Sequence, residues 1–236
     1  MMTANNQRPE STSRAQKEIR KKVFLVDDHP VVRQGLHMLI EQDSELMVCG
    51  ESATALDTIQ QLKTLTPDIL LTDISLKDSN GLELVKDIRL RNPNLPILVF
   101  SIHDETIYAE RALTAGANGY VMKQEDPDLL LHAIHKVLGG DIHLSMKVTS
   151  QLLKQLSSSK PSNPLDHADA VSTLSDRELE VFELIGKGLS TRKIAEQLNL
   201  SIKTIETYRA HIKRKFNISD SAELTHRAIQ WADNDS

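Results

Sequence analysis

At 236 residues the chain is long enough for two modest domains, and no stretch approaches the ~20 consecutive apolar residues of a membrane-spanning helix. Aromatic residues make up 3%, so any core is aliphatic, and the single cysteine, Cys49, excludes an internal disulfide. The net charge of −5 is unevenly spread: residues 1–22 hold six basic and two acidic groups, residues 23–172 hold 12 and 21, and residues 173–236 hold 10 of each, so the acidic middle argues against nucleic acid binding there.

Residues 1–22 have neither apolar periodicity nor an apolar signal segment and read as a disordered basic tail with no function assigned. From Val23 the pattern alternates regularly: strand 23–27, helix 30–42, strand 46–50, helix 53–65, strand 68–73, helix 81–92, strand 96–101, helix 104–115, strand 118–122, helix 126–139. Five strands alternating with five helices predict an α/β domain over residues 23–140, with a parallel sheet covered on both faces. Asn80-Gly81, Pro93, Pro96, Gly116 and Gly139-Gly140 supply the matching punctuation. Cys49, in the apolar run Leu46-Met47-Val48-Cys49, reads as a small buried hydrophobe in a reducing cytoplasm.

Ser145 to Leu156 predicts a short amphipathic helix with Val148, Leu152, Leu153 and Leu156 on one side. Ser157 to Ser172, rich in Ser and Pro, predicts a flexible linker, so residues 141–172 separate two domains. The remainder is helical and begins on a capping box, Ser175 with Glu178. Helices 176–187, 190–198, 201–216 and 220–231 follow, with Ser190, Ser201 and Ser219 placed as caps, and the tight turn Leu198-Asn199-Leu200-Ser201 suits a helix-turn-helix. On helix 201–216 a wheel turns Ile202, Ile205, Ile212 and Phe216 inward and Lys203, Thr207, Ala210 and Arg214 outward, flanked by Glu206 and His211. Five basic residues against one acidic on that helix are the electrostatic footprint of duplex binding.

The first and third strands carry the chemistry. Asp68-Ile69-Leu70-Leu71-Thr72-Asp73 and Val23-Phe24-Leu25-Val26-Asp27-Asp28 both end on carboxylates at the strand's carboxyl end, where open α/β sheets bind ligands. Carboxylates so close repel unless a divalent cation, a shared proton or a Lys/Arg intervenes. Oxygen-only ligands suit a hard cation such as Mg²⁺, which would leave Asp73 free as a nucleophile toward phosphorus. Any one of these aspartates alone reads as a solvated loop residue; the set does not.

With Ser101 and Tyr120-Val121-Met122-Lys123 also at strand ends, the first domain resembles the receiver of bacterial two-component response regulators. Leu174-Ser175-Asp176-Arg177-Glu178, Gly188-Leu189-Ser190, Ile194-Ala195 and Ser201-Ile202-Lys203-Thr204-Ile205 resemble the LuxR-type helix-turn-helix. Together they resemble the NarL/FixJ class. That resemblance implies a flavodoxin-like sheet of order 2-1-3-4-5 with a four-helix DNA-binding domain at residues 173–236. It implies Asp73 as phosphoacceptor from a sensor histidine kinase, Asp27, Asp28, Asp73 and the Ser75 carbonyl around Mg²⁺, and Ser101 and Lys123 on the phosphoryl oxygens. Tyr120 is then the switch that swings inward as Ser101 moves. Glu206, Thr207 and Ala210 would meet base edges of double-stranded DNA, and Lys203, Thr204 and Lys215 its phosphates, with Arg214 in the same set. Ala222, Leu224, Ala228, Ile229 and Trp231 of helix 220–231 would form a homodimer contact on two-fold sites. The expected protein is a cytoplasmic, phosphorylation-gated transcription regulator that is no enzyme beyond its own phosphorylation and dephosphorylation. The alternative is a constitutive DNA-binding regulator with a structural, unphosphorylated receiver.

Overall fold

The computed structural model describes residues 20–77, 79–157 and 167–234. Most of the basic tail expected over residues 1–22, and residues 158–166 of the expected linker, therefore lie outside the described residues. In chain order the elements are β1 (Lys21–Val26), α1 (Pro30–Gln42), β2 (Leu46–Ser52), α2 (Ala55–Gln61), β3 (Ile69–Thr72), α3 (Gly81–Arg91), β4 (Ile97–Ser101), α4 (Glu105–Ala115), β5 (Gly119–Met122), α5 (Pro127–Leu138) and α6 (Met146–Ser157). Then come α7 (His167–Ser172), α8 (Asp176–Gly186), α9 (Thr191–Gln197), α10 (Ile202–Lys215) and α11 (Ser221–Asn234).

All five strands pair in parallel, in the order β2-β1-β3-β4-β5. Successive side chains of a strand point to opposite faces, so Val23 and Leu25 join the core under α1 and α5, while Phe24 and Val26 join the core under α3 and α4. Both layers are almost wholly aliphatic, as the composition requires. The chain order reverses between β1 and β3, which brings their carboxyl ends side by side at the topological switch point. Helix α3 starts where Asn80 accepts from the Leu82 N–H, and its first residue passes so close to β3 that a Cβ on Gly81 would stand 1.9 Å from the Asp73 carbonyl oxygen. Only glycine fits there.

Several boundaries depart from the sequence reading. β1 starts at Lys21 because the Lys21 and Lys22 N–H groups find acceptors in the Glu45 carbonyl and the Asp68 carboxylate. α2 stops at Gln61, and residues to Leu65 form turns that hydrogen-bond back onto it. The expected linker contains α7. On α6 only Val148 is buried, with Leu152 partly so, and Leu153 and Leu156 are exposed. Cys49 is half-buried rather than buried. Ser175, Ser190 and Ser201 cap their helices, the first in a full capping box, but at α11 Asp220 rather than Ser219 accepts from the backbone, at the Ala222 N–H.

Candidate functional site: a carboxylate cleft and a basic helix

The sheet brings Asp27, Asp28 and Asp73 together at the ends of β1 and β3. Asp27 and Asp73 are buried, and Lys123, arriving from the end of β5, reaches both, its Nζ 2.6 Å from Asp27 Oδ2 and 2.6 Å from Asp73 Oδ2. Ser101, at the end of β4, donates its hydroxyl to Asp73 Oδ1 at 2.6 Å, and the Ile74 N–H donates to the same oxygen at 2.6 Å. Three strand ends, those of β3, β4 and β5, thus meet at the Asp73 carboxylate, and Lys123 ties the end of β1 to them through Asp27.

The cleft holds more negative than positive charge. Burial alone would discharge Lys123, yet Asp73 and Asp27 overcome it and hold its pKa above the usual lysine value. Asp28 goes the other way: burial, helped by Asp27 and Asp73, raises its carboxyl despite His29 and Lys123. Asp28 Oδ1 is buried and has no hydrogen-bond donor; His29 Nδ1 stands 2.6 Å away, outside hydrogen-bond geometry. Ligand atoms of Asp27, Asp28, His29 and Asp73 all lie within 4.8 Å of one another. An orphaned carboxylate oxygen among further carboxylates fits a hard divalent cation.

Ser75 lies on the β3–α3 loop, bridged to Asn80. Tyr120 is already inside, 1% exposed, and its hydroxyl donates to the His103 carbonyl at 2.8 Å. The ring of Tyr120, expected to act as a switch, thus stands inward in this structure.

On α10, Lys203, Glu206, Thr207, Ala210 and Arg214 are all exposed along one side, while Ile205, Ile212 and Phe216 are buried. Ile202, expected inward, is 48% exposed. Thr204 pairs with the Ser201 hydroxyl at the helix start. Lys215 is the exception in the expected phosphate-facing set: its Nζ lies 2.6 Å from Glu178 and 2.8 Å from the Thr173 carbonyl, so it is committed within its own domain. The α11 expectation is corrected as well. Leu224 and Ala228 are fully buried and Trp231 packs on Phe182 at 5.6 Å, which leaves Ala222 and Ile229 on the outer side.

The sequence reading missed a third cluster. Helix α8 lays Asp176, Arg177, Glu180 and Glu183 against the α/β domain, where Glu180 meets Ser75 and Asn80, Glu183 meets His103 and Tyr108, and Asp176 meets Lys86 and Arg111. Its polar stripe has the spacing of any solvated helix face, so nothing in the pattern marks it.

Residues 23–135 match the model of the response regulator receiver domain, and residues 172–228 match that of the bacterial regulatory proteins of the luxR family. The oxygen regulatory protein NreC of Staphylococcus aureus is 32% identical over 210 residues, covering 89% of this chain and 97% of its own. Among solved structures, RcsB from Salmonella enterica serovar Typhimurium bound to promoter rprA with the phosphomimetic BeF3- is similar with a TM-score of 0.58 at 27% identity, covering 89% of this chain and 98% of that one. Two RcsB dimers bound to two parallel DNAs give a TM-score of 0.54 at 28% identity over 88% of this chain and 97% of that one. Among the described residues no helix is long and apolar enough to cross a membrane.

Proposed function

Given that this chain belongs to the two-component response regulators of the NarL/FixJ class, a receiver followed by a LuxR-type helix-turn-helix, we propose that it is a phosphorylation-gated transcription regulator whose phosphoacceptor is Asp73. The observation that carries this reading is the setting of that carboxylate. It is the one on which Lys123, Ser101 and a backbone N–H converge.

In the proposed reaction a carboxylate oxygen of Asp73 forms the new bond to phosphorus as the bond to the kinase's histidine breaks. Lys123 and Ser101, which now hold the carboxylate, then turn to the phosphoryl oxygens, the first as a point charge and the second as a hydrogen-bond donor. Asp27, Asp28, Asp73 and the Ser75 carbonyl are the proposed Mg²⁺ ligands, and His29 stands within reach of the same site. Magnesium, when bound, supplies the positive charge that offsets a phosphoryl dianion beside these carboxylates. Tyr120 keeps the β4–α4 loop in place through the His103 carbonyl.

The partner upstream is a sensor histidine kinase and the target is double-stranded DNA, both met in the cytoplasm, and the protein acts as a homodimer rather than as an enzyme with an external substrate. The exposed side of α10 presents Glu206, Thr207 and Ala210 to base edges and Lys203, Thr204 and Arg214 to phosphates. RcsB, seen as dimers on DNA, supports this arrangement by similarity. A second reading, constitutive DNA binding with a structural receiver, draws on the same exposure of α10.

Intact mass and oligomeric mass, measured on wild type and Asp73→Asn with a small-molecule phosphodonor and Mg²⁺, separate the two. A phosphoryl gain and dimerisation in wild type alone support the gated reading; no gain in either protein leaves the constitutive one.

A further inference from the structure

Asp28 Oδ1 is buried and has no hydrogen-bond donor, yet a metal ligand has to be oriented before the metal arrives. What orients Asp28 is the backbone on either side of it. A peptide unit is planar, so holding one of its polar atoms sets the whole plane.

The plane between Asp27 and Asp28 is held at the Asp27 carbonyl, which accepts from Arg33 Nη1 at 2.6 Å. The plane between Asp28 and His29 is held at the His29 N–H, which donates to Asp27 Oδ1 at 2.8 Å. One plane earlier, the Asp27 N–H donates to the Ser52 carbonyl at 3.1 Å. Asp28 therefore leaves a backbone fixed on both sides, with its ligand atom within 4.8 Å of those of Asp27, His29 and Asp73.

Of these holds, only the one from Arg33 comes from a side chain outside the proposed ligand set. Arg33 lies in the first turn of α1, where its own N–H donates to the His29 carbonyl at 3.1 Å. Its main chain and its side chain thus close on the two ends of the loop 27–29. The arrangement is not the one that best satisfies a guanidinium. Arg33 Nε is buried without a hydrogen-bond partner among the described residues, and the half-exposed Glu51 carboxylate stands 3.8 Å from it.

Arg89 makes the contrast. It too binds carbonyls, those of Gly116, Pro93 and Leu95, but its Nε, Nη1 and Nη2 all have acceptors. A buried N–H left unmet costs stability, so stability alone does not account for the placement of Arg33. What the placement fixes is the direction of Asp28.

We propose that Arg33 is a positioning residue for the metal: its bond to the Asp27 carbonyl keeps Asp28 turned into the carboxylate cleft, so that Mg²⁺ meets a site already set. The inference rests on the reading of this cleft as the Mg²⁺ site that serves Asp73. Loss of the Arg33 donors is expected to raise the metal dissociation constant on the order of 10-fold, the lower end for groups that orient metal ligands from behind. The phosphorylation step at saturating metal should be unaffected.

The test uses the full chain as wild type, as Arg33→Met, which keeps a stem without donors, as Arg33→Lys, which keeps a charged donor, and as Arg89→Ala, which removes a guanidinium clamp at the opposite end of the strands. Mn²⁺ is the probe, its free concentration read by electron paramagnetic resonance with Mg²⁺ as competitor. The rate of phosphorylation by acetyl phosphate is read by intact mass across Mg²⁺ concentrations. In Arg33→Met the Mn²⁺ dissociation constant and the Mg²⁺ concentration for half-maximal rate should rise by the same factor, with the maximal rate unchanged. Arg33→Lys should recover most of the affinity, and Arg89→Ala should bind Mn²⁺ as wild type does even if it is less stable. Should Arg33→Met not fold, Arg33→Gln, whose shorter stem leaves its amide further from the carbonyl, replaces it with the same expectation. A wild-type dissociation constant in the variant without donors, an equal loss in Arg89→Ala, or no recovery in Arg33→Lys would overturn the proposal while leaving Asp73 as phosphoacceptor. Wild type that binds no Mn²⁺ would overturn the reading of the cleft as a metal site and this proposal with it.

Discussion

The phosphoacceptor cleft and the seam between α8 and the receiver both bury carboxylates, but they treat them in opposite ways. In the cleft, Asp27, Asp28 and Asp73 share Lys123, with His29 at the mouth, and one oxygen of Asp28 has no donor. In the seam, Asp176, Glu180 and Glu183 meet Lys86, Arg111, Arg177, His103 and Lys187, so each carboxylate is matched. An unbalanced buried cluster is a place for a cation and for chemistry; a balanced one is a place for adhesion.

The sharpest way to break this contrast is to worsen the imbalance. Lys123→Ala leaves Asp27 and Asp73 without a counter-charge, and a loss of roughly 3–5 kcal/mol is expected by denaturant unfolding. Added Mg²⁺ should recover part of it, whereas a seam variant should gain no more from Mg²⁺ than wild type does.

In the seam, Arg111→Ala removes hydrogen bonds to the Leu174 and Val171 carbonyls and to Asp176. A cost of roughly 1–3 kcal/mol is expected, with increased acrylamide quenching of Trp231, which lines the interdomain groove with Arg111. Unchanged quenching would mean that Arg111 adds nothing to adhesion.

Acid should open the seam. Glu183 has a folded pKa of about 2 against an ordinary 4.5, so its contribution is fully present above pH 4.5 and is lost as pH falls toward 2. Glu183→Gln should flatten that acid limb of a stability profile; a limb of unchanged steepness would count against the pairing with His103 and Lys187.

The smallest effect is expected outside both clusters. Lys203→Ala on the exposed side of α10 should weaken DNA binding about equally across sequences and lower the salt slope by about 1, leaving stability unchanged. A change confined to one base position would instead make Lys203 a base reader.

How far each region could be read in advance follows from the same contrast. Asp27, Asp28 and Asp73 stood out because each closes an apolar run, a place where a solvated carboxylate is not needed, and Lys123 closes a third. The parallel sheet and α10 followed from periodicity and from charge crowded on one helix, and the strand order from the resemblance to receiver domains. The stripe Asp176, Arg177, Glu180 and Glu183 did not, because its spacing is that of any solvated amphipathic face and its partners on the receiver are far away in the sequence. Wheel geometry also overreached at the ends of helices. Ile202 sits in the first turn of α10, beyond the reach of the core, and Leu153 and Leu156 extend past the part of α6 that touches the receiver. On α11 the apolar residues expected at a dimer contact were needed inside, where Ala228 closes on Gly186.

The central claim is that charge placed on Asp73 controls what α10 can bind. Its most direct test is the affinity of wild type and Asp73→Asn for a duplex recovered by selection, with and without phosphodonor and Mg²⁺ at fixed salt. The account predicts that the donor tightens binding of wild type, by roughly 5- to 150-fold, and leaves Asp73→Asn unmoved. Equal affinities in all four measurements would contradict it.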